Sequence, residues 1–417
     1  MEISAMKPSN TKAFRRAAIV TAAGTAAATA LAIAVPTASA APAPVTGQDR
    51  GTLLSVEQVI DLDRAQVTDA LMKQKIDTSQ VRSSVTGYRL TYSTVDLDGR
   101  PTTATGLVVV PNDSGPNLQV VSQAHGTLSE RHAAPSSAPT RIAGSPALFY
   151  GSAGHLTVAP DYLGLGSGPG PHPYMHSPTE VSASLDLLRA TRAFADRHGL
   201  QVDPDTLVTG SSQGGRVATA LGRELRRGAD RFWRLGALAP VAGPYDIIGA
   251  QTPAMLDGQV EGRPTAYTLA YYTVAANRRL HLWDSPSEAF QAPYAAKVES
   301  WFDGDHPTDQ IIAQLPDDPM ALFTPKYQQL LRQPTGKLGA EIRAGDRSCS
   351  WRASAPVRLY TSSGDRNVVL ANSEHCRDDL AKRGADVTMV DLGPDVTHFA
   401  AATVALPRIL DWWRGLR

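Results

Sequence analysis

Ser212 stands in Gly210-Ser211-Ser212-Gln213-Gly214, the one G-x-S-x-G run in the chain. A serine hydroxyl is a poor nucleophile at neutral pH and becomes useful only with a base in hydrogen-bond reach. Glycines two positions to either side suit a sharp strand-to-helix turn, which strains the serine backbone and brings strand and helix too close for side chains. Such a turn also aims the first amides of the helix at the reacting centre. The motif alone is weak, since a turn serine beside a helix cap has the same composition. Its flanks add to it: Leu207-Val208-Thr209 has the apolar character of a buried strand, and a helical pattern follows from Arg216.

A base and an acid must then be found, and on a strand-turn-helix nucleophile they follow in the order serine, acid, histidine. His398 fits the last place: it follows the apolar run Val387 to Val390 through the loop Leu392 to Thr397 and opens a closing helix. Among the other nine histidines only His125 also stands at a strand end, and it precedes the serine. Asp365 ends the segment that begins at Val357 and falls between Ser212 and His398. Its expected work is to orient the imidazole and stabilise the imidazolium. Asp391 and Asp395 are nearer to His398 in sequence and remain alternatives. Two donors are needed for a tetrahedral oxyanion, and the expected pair is the amide of Gln213 and the amide of Thr127, with Gly126 letting the backbone approach. His125 is either part of that loop's function or only structural.

Other chemistry-bearing patterns read differently. The glycine run Gly164 to Gly170 looks like a phosphate cradle, but Pro171 and Pro173 follow and no helix opens there, so it reads as a mobile loop at the rim of the site. His172 and His176 lie on the same Pro-broken stretch, and no metal site is expected from them. The two cysteines, Cys349 and Cys376, are either a disulfide or two buried thiols, and they are too isolated to hold a metal. No cofactor is called for.

The elements that must hold these residues show an alternation. Tyr88 to Asp96, a turn at Asp98-Gly99 and Thr103 to Val110 read as a hairpin. Short apolar runs follow at Leu118 to Ser122, His155 to Ala159, Thr206 to Thr209, Leu235 to Val241, Val357 to Thr361 and Val387 to Val390. Between them Glu180 to His198 and Arg216 to Arg227 carry helical periodicity. Strands alternating with amphipathic helices predict an α/β fold: a mostly parallel central sheet flanked by helices. The alternation fails over residues 245–347, which hold helix-like segments rich in large apolar residues and read as an inserted helical subdomain. The core is then residues 41–244 and 348–417. Trp283 and Trp301 are assigned to the insertion's own packing.

Residues 1–40 read as a signal peptide: Lys7, Lys12, Arg15 and Arg16, an uncharged apolar run from Ala17 to Val35, and the small-residue pattern Ala38-Ser39-Ala40. This predicts a secreted protein with no stable membrane insertion once the segment is removed. The 40 Lys and Arg balance the 40 Asp and Glu, which leaves no electrostatic footprint for nucleic acid and favours a small neutral substrate.

Taken in order, Gly51-Thr52-Leu53-Leu54, the hairpin from Tyr88 to Pro111, His125-Gly126-Thr127, Ala159 to Gly166, the serine turn, Gly243-Pro244-Tyr245-Asp246 and the Asp365/His398 pair resemble the secretory lipase family. This is the lipase-A-like branch of the α/β-hydrolases, and the resemblance spans nearly the whole chain after residue 40. It implies the α/β-hydrolase fold with a helical lid between the sixth and seventh core strands, a disulfide near the acid loop, and hydrolysis of small-molecule or lipid carboxylic esters with the acyl chain under the lid. It carries the nucleophile, acid and base onto Ser212, Asp365 and His398, and gives Asp161 a structural role. A lipase or esterase working through an acyl-enzyme is the leading expectation. A secreted serine peptidase of the same fold and a binding module that has kept the fold are the alternatives.

Overall fold

The computed structural model describes residues 50–115 and 117–416, so the expected signal peptide lies outside the described residues. Among the described residues eleven strands occur in chain order: β1 (Leu53–Leu62), β2 (Val85–Val95), β3 (Pro101–Pro111), β4 (Asn117–Leu118), β5 (Val120–Ala124), β6 (Leu156–Pro160), β7 (Gln201–Val202), β8 (Asp205–Ser211), β9 (Arg234–Val241), β10 (Val357–Thr361) and β11 (Val387–Asp391). Nine of them form one sheet in the order β1-β2-β3-β6-β5-β8-β9-β10-β11, while β4 and β7 make a separate two-stranded ladder. The pairs β1/β2, β2/β3 and β3/β6 are antiparallel, and every later pair in the large sheet is parallel. All five residues of β5 and of β6 are buried, as continuous apolar strands covered on both faces must be. One face packs Leu188, Phe194, Leu221 and Trp233. The other packs Phe149, Tyr150, Leu406 and Trp413. The fold is the expected α/β one.

Three readings shift. The run Leu118 to Ser122 is not one strand: it divides at Gln119, whose side-chain amide donates to the Asp205 carbonyl, so that β4 pairs with β7 and β5 enters the sheet. The helix after the serine begins at Gln213, not Arg216, because Gly214 and Gly215 are helical. Strand β1 and the helices Arg64–Lys73 and Ser145–Ser152 gave no clear periodic signal, and β1 buries fully only Leu53.

From the end of β9 to the start of β10 the described residues contain no strand, only an isolated bridge between Phe290 and Phe323. Helices such as Gly262–Leu280, Pro325–Arg332 and Gly336–Gly345 fill this stretch. Its aromatic cluster holds Tyr271, Trp283, Phe290, Trp301 and Phe302. Tyr174 and Met175 join that cluster from before the Ser177–Arg197 helix. Cys349 and Cys376 form a disulfide, which removes the buried-thiol alternative. It ties the chain just before β10 to the Ala371–Lys382 helix.

Candidate active site

Ser212 lies between β8 and the Gln213–Arg226 helix with φ 57° and ψ −123°, a conformation side chains rarely adopt. Two backbone crossings explain the flanking glycines. A Cβ on Gly210 would run into the Gly214 carbonyl, and one on Gly214 would run into the Ala124 carbonyl at the end of β5. The turn is therefore packed main chain against main chain, and the Ser212 amide donates to the Val241 carbonyl at 2.9 Å.

His398 opens the final helix, His398–Arg414, where Thr397 caps the first turn. Its Nε2 lies 2.9 Å from Ser212 Oγ and its Nδ1 lies 2.6 Å from Asp365 Oδ2. Asp365 follows β10 by four residues, and its other oxygen, Oδ1, accepts the amides of Asn367 and Val368 at 2.8 Å each. These two bonds fix the carboxylate plane before the imidazole arrives. The Asp365 side chain is fully buried and that of His398 is 8% exposed, so water competes little for the chain of bonds. The alternatives lie elsewhere: Asp391 accepts the amides of Ser363 and Gly393, and Asp395 is exposed.

The other expected residues gather around the same serine. Gln213 is the first residue of its helix, where an amide has no intrahelical acceptor. Gly126 sits so that a Cβ there would lie 3.6 Å from the Ser212 Cβ. Thr127 lines the same cavity as Ser212 and His398, and its hydroxyl meets Tyr174 Oη at 2.8 Å. His125 also lines the cavity, its ring nitrogens facing the carbonyls of Gly126 at 2.6 Å and Asp161 at 3.2 Å, and burial holds its pKa below the usual value. Asp161 is a brace. Its oxygens accept from the Ser136 amide at 2.8 Å, the Ser136 hydroxyl at 2.5 Å and the Thr105 hydroxyl at 2.6 Å.

The glycine run is a correction. None of Gly164 to Gly170 lines the cavity. The loop packs inward, with Leu165 fully buried and Gly166 so close to Asp161 and Thr105 that a Cβ has no room. His172 is 4% exposed, bonds the Leu163 carbonyl at 2.8 Å, and is pushed by burial to a pKa of about 3.

The cavity beside Ser212 measures about 320 Å³. Leu269, Ile312, Ile342, Met255, Tyr267 and Tyr272 supply its apolar wall, all from the stretch between β9 and β10. Trp283, Phe290 and Trp301 do not reach it and serve that stretch's own core.

No family model matches the chain, and none of the curated proteins does. Solved structures do. A Legionella pneumophila protein described as a hydrolase superposes with a TM-score of 0.80 at 27% identity, over 87% of this chain and 97% of its own. The rice cell wall degrading esterase LipA of Xanthomonas oryzae gives 0.75 at 28% identity, over 86% and 95%. The chain has the α/β-hydrolase fold and is similar to these hydrolase and esterase structures. Candida antarctica lipase A in its closed state shares this fold at a TM-score of 0.64 and 15% identity, over 88% of this chain and 81% of its own.

Sequence reasoning missed two residues that pack against the expected donors. Glu180, 1% exposed, accepts from the Gln213 side chain at 2.7 Å, and Tyr174 meets Thr127. The partners are separated by 33 and 47 residues, so no local spacing marks them.

Proposed function

We propose that this hydrolase is an exported enzyme that cleaves carboxylic esters through an acyl-enzyme on Ser212. The observation that carries the reading is the continuous relay from Ser212 Oγ through His398 to Asp365, at 2.9 and 2.6 Å, at the edge of an apolar cavity. In the first half-reaction Ser212 Oγ attacks the ester carbonyl carbon while His398 Nε2 takes its proton. Asp365 accepts the Nδ1 hydrogen bond and stabilises the imidazolium without itself being protonated. The carbonyl oxygen becomes an oxyanion and turns to the amides of Gln213 and Thr127. Collapse breaks the bond to the alcohol, which leaves with the proton from His398. Water then attacks the acyl-serine with His398 again as base, and the acid departs.

The stretch of residues 245–347 acts in this reading as a lid whose inner wall holds the acyl chain. Among the described residues no Asp or Glu lines the cavity to anchor the amino terminus of a peptide, which favours esters over the peptidase alternative. Export rests on the sequence of residues 1–40 and agrees with the Cys349–Cys376 disulfide. Among the described residues no helix is long and apolar enough to cross a membrane.

Hydrolysis of p-nitrophenyl esters from acetate to palmitate, with a peptide anilide alongside, tests the proposal. Ser212→Ala is expected to lower ester kcat by about 10⁵-fold or more, leaving the residual rate of binding and oxyanion stabilisation. Anilide cleavage with negligible ester turnover would move the assignment to a peptidase, and turnover of neither would favour a binding role.

A further inference from the structure

Both expected oxyanion donors are buttressed by one short segment, residues 172–180, which the mechanism above does not use. It runs from the Pro-flanked His172 into the first turn of the Ser177–Arg197 helix. Tyr174 Oη meets Thr127 Oγ1 at 2.8 Å. Glu180 Oε1 accepts from Gln213 Nε2 at 2.7 Å, and His172 Nε2 stands 3.3 Å from the same Gln213 nitrogen. Tyr174 is 4% exposed and Glu180 is 1% exposed, so water does not substitute for either partner.

The segment is itself held rigidly. Met175, between the two contacts, adopts φ 61°, a conformation that persists only where surroundings enforce it. The Tyr174 ring stacks on Tyr271 of the Gly262–Leu280 helix with centroids 4.3 Å apart and planes 3° from parallel. Tyr271 stacks in turn on Phe302 at 4.5 Å and 7°. On the other side Tyr162 stacks on His172 at 5.9 Å and 11°.

A buttress on each donor residue has a clear physical use. An oxyanion donor works by being fixed before charge develops, and a misplacement of about 1 Å costs on the order of 10²-fold in rate. The Gln213 amide is anchored through its own side chain, and Thr127 through its hydroxyl. Tyr174 and Thr127 share this hydrogen bond between two hydroxyls, either of which can donate.

We propose that Tyr174 and Glu180 are positioning residues of the oxyanion hole, one for the Thr127 side and one for the Gln213 side. This rests on the ester-hydrolase reading of Ser212. Glu180 does not line the cavity, and Tyr174, which does, keeps its ring in Tyr174→Phe, so the effect belongs in kcat and in the affinity for tetrahedral adducts.

The test measures, in the full-length protein, kcat and KM for p-nitrophenyl butyrate and the inhibition constant of butylboronic acid, whose adduct on Ser212 places an oxygen where the oxyanion forms. Tyr174→Phe keeps the ring stack and removes only the hydroxyl. Glu180→Leu removes the acceptor, and Glu180→Gln restores a carbonyl acceptor of the same reach. The first two are expected to lower kcat by about 10- to 100-fold with KM within about 3-fold. Boronate affinity should fall in parallel, and Glu180→Gln should recover most of both. Should Glu180→Leu not fold, Glu180→Asp, which shortens the reach to Gln213, replaces it beside Tyr174→Phe. Unchanged kcat and boronate affinity in folded Tyr174→Phe and Glu180 variants would overturn the proposal, as would losses confined to KM. A wild-type protein without Ser212-dependent turnover would instead overturn the hydrolase reading on which it rests.

Discussion

The serine turn and the strandless stretch after β9 face each other across one cavity and are built by opposite means. Around Ser212 main chain meets main chain: Gly210, Gly214 and Ala124 pack with no room for a Cβ. Across the cavity side chain meets side chain, with Trp283 edge-on to Phe290 at 5.9 Å and to Tyr327 at 5.6 Å, and Tyr271 stacked on Phe302. Backbone contacts allow almost no substitution, whereas an aromatic cluster can be repacked if volume is kept. Ser212 thus sits where the backbone leaves little room for change, and the cavity wall opposite sits where side chains can be exchanged if volume is kept.

The sharpest way to break this contrast is Gly214→Ala. The added Cβ meets the Ala124 and His125 carbonyls, neither of which belongs to a flexible group. Ester kcat/KM is expected to fall by at least about 10³-fold, or the protein to fail to fold, because displacing the turn moves nucleophile and oxyanion donor together. Turnover within about tenfold of wild type, in a variant folded by near-ultraviolet circular dichroism, would mean that the turn backbone can yield.

A smaller effect tests the junction between the two regions. The disulfide spans a sequence separation of 27 and fastens the return of the chain from the aromatic stretch beside the helix that follows Asp365. Replacing Cys349 and Cys376 with alanine is expected to lower the unfolding free energy by about 3–4 kcal/mol, read as a lower denaturant midpoint. The relay itself contains no cysteine, so kcat below the transition should change little. A large loss of kcat without loss of stability would instead make the disulfide part of the acid loop's positioning.

The same division explains what could be read from the sequence. Strands β5, β6, β8, β9 and β10 are buried on both faces and carry continuous apolar runs that single them out. The serine turn is legible because its glycines are enforced by backbone. Strand β1 was not, since it is an edge strand whose residues Glu57, Gln58 and Asp61 hide the alternation. Asp365, Asp391 and Asp395 all fall between Ser212 and His398, so chain order does not separate them, and Asp365 is set apart by its 2.6 Å contact with His398. Glu180 and Tyr174 left no trace at all: one reads as an ordinary acidic residue in a helix's first turn, the other as a loop tyrosine, and their meaning depends on packing from distant segments. The glycine run misled for a related reason. Gly166 serves tight packing against Asp161 and Gly164 against Pro171 and His172, and composition does not separate that from an open loop.

The least effect is expected where the contrast says substitution is easiest. Leu269, on the Gly262–Leu280 helix, lines the cavity and is only partly buried, so a larger side chain has somewhere to go. Leu269→Trp fills space that an acyl chain would use and leaves Ser212, His398 and Asp365 untouched. Each methylene moved from water to an apolar wall contributes about 0.8 kcal/mol, so excluding roughly two of them lowers kcat/KM for a long chain by about 10-fold. Short esters never reach that wall and should keep their wild-type rate. The measured quantity is the ratio of kcat/KM for palmitate over butyrate esters, which should drop by that factor while butyrate turnover stays constant. An equal fall for both chain lengths would place the wall within the chemistry after all and erase the distinction between the two sides of the cavity.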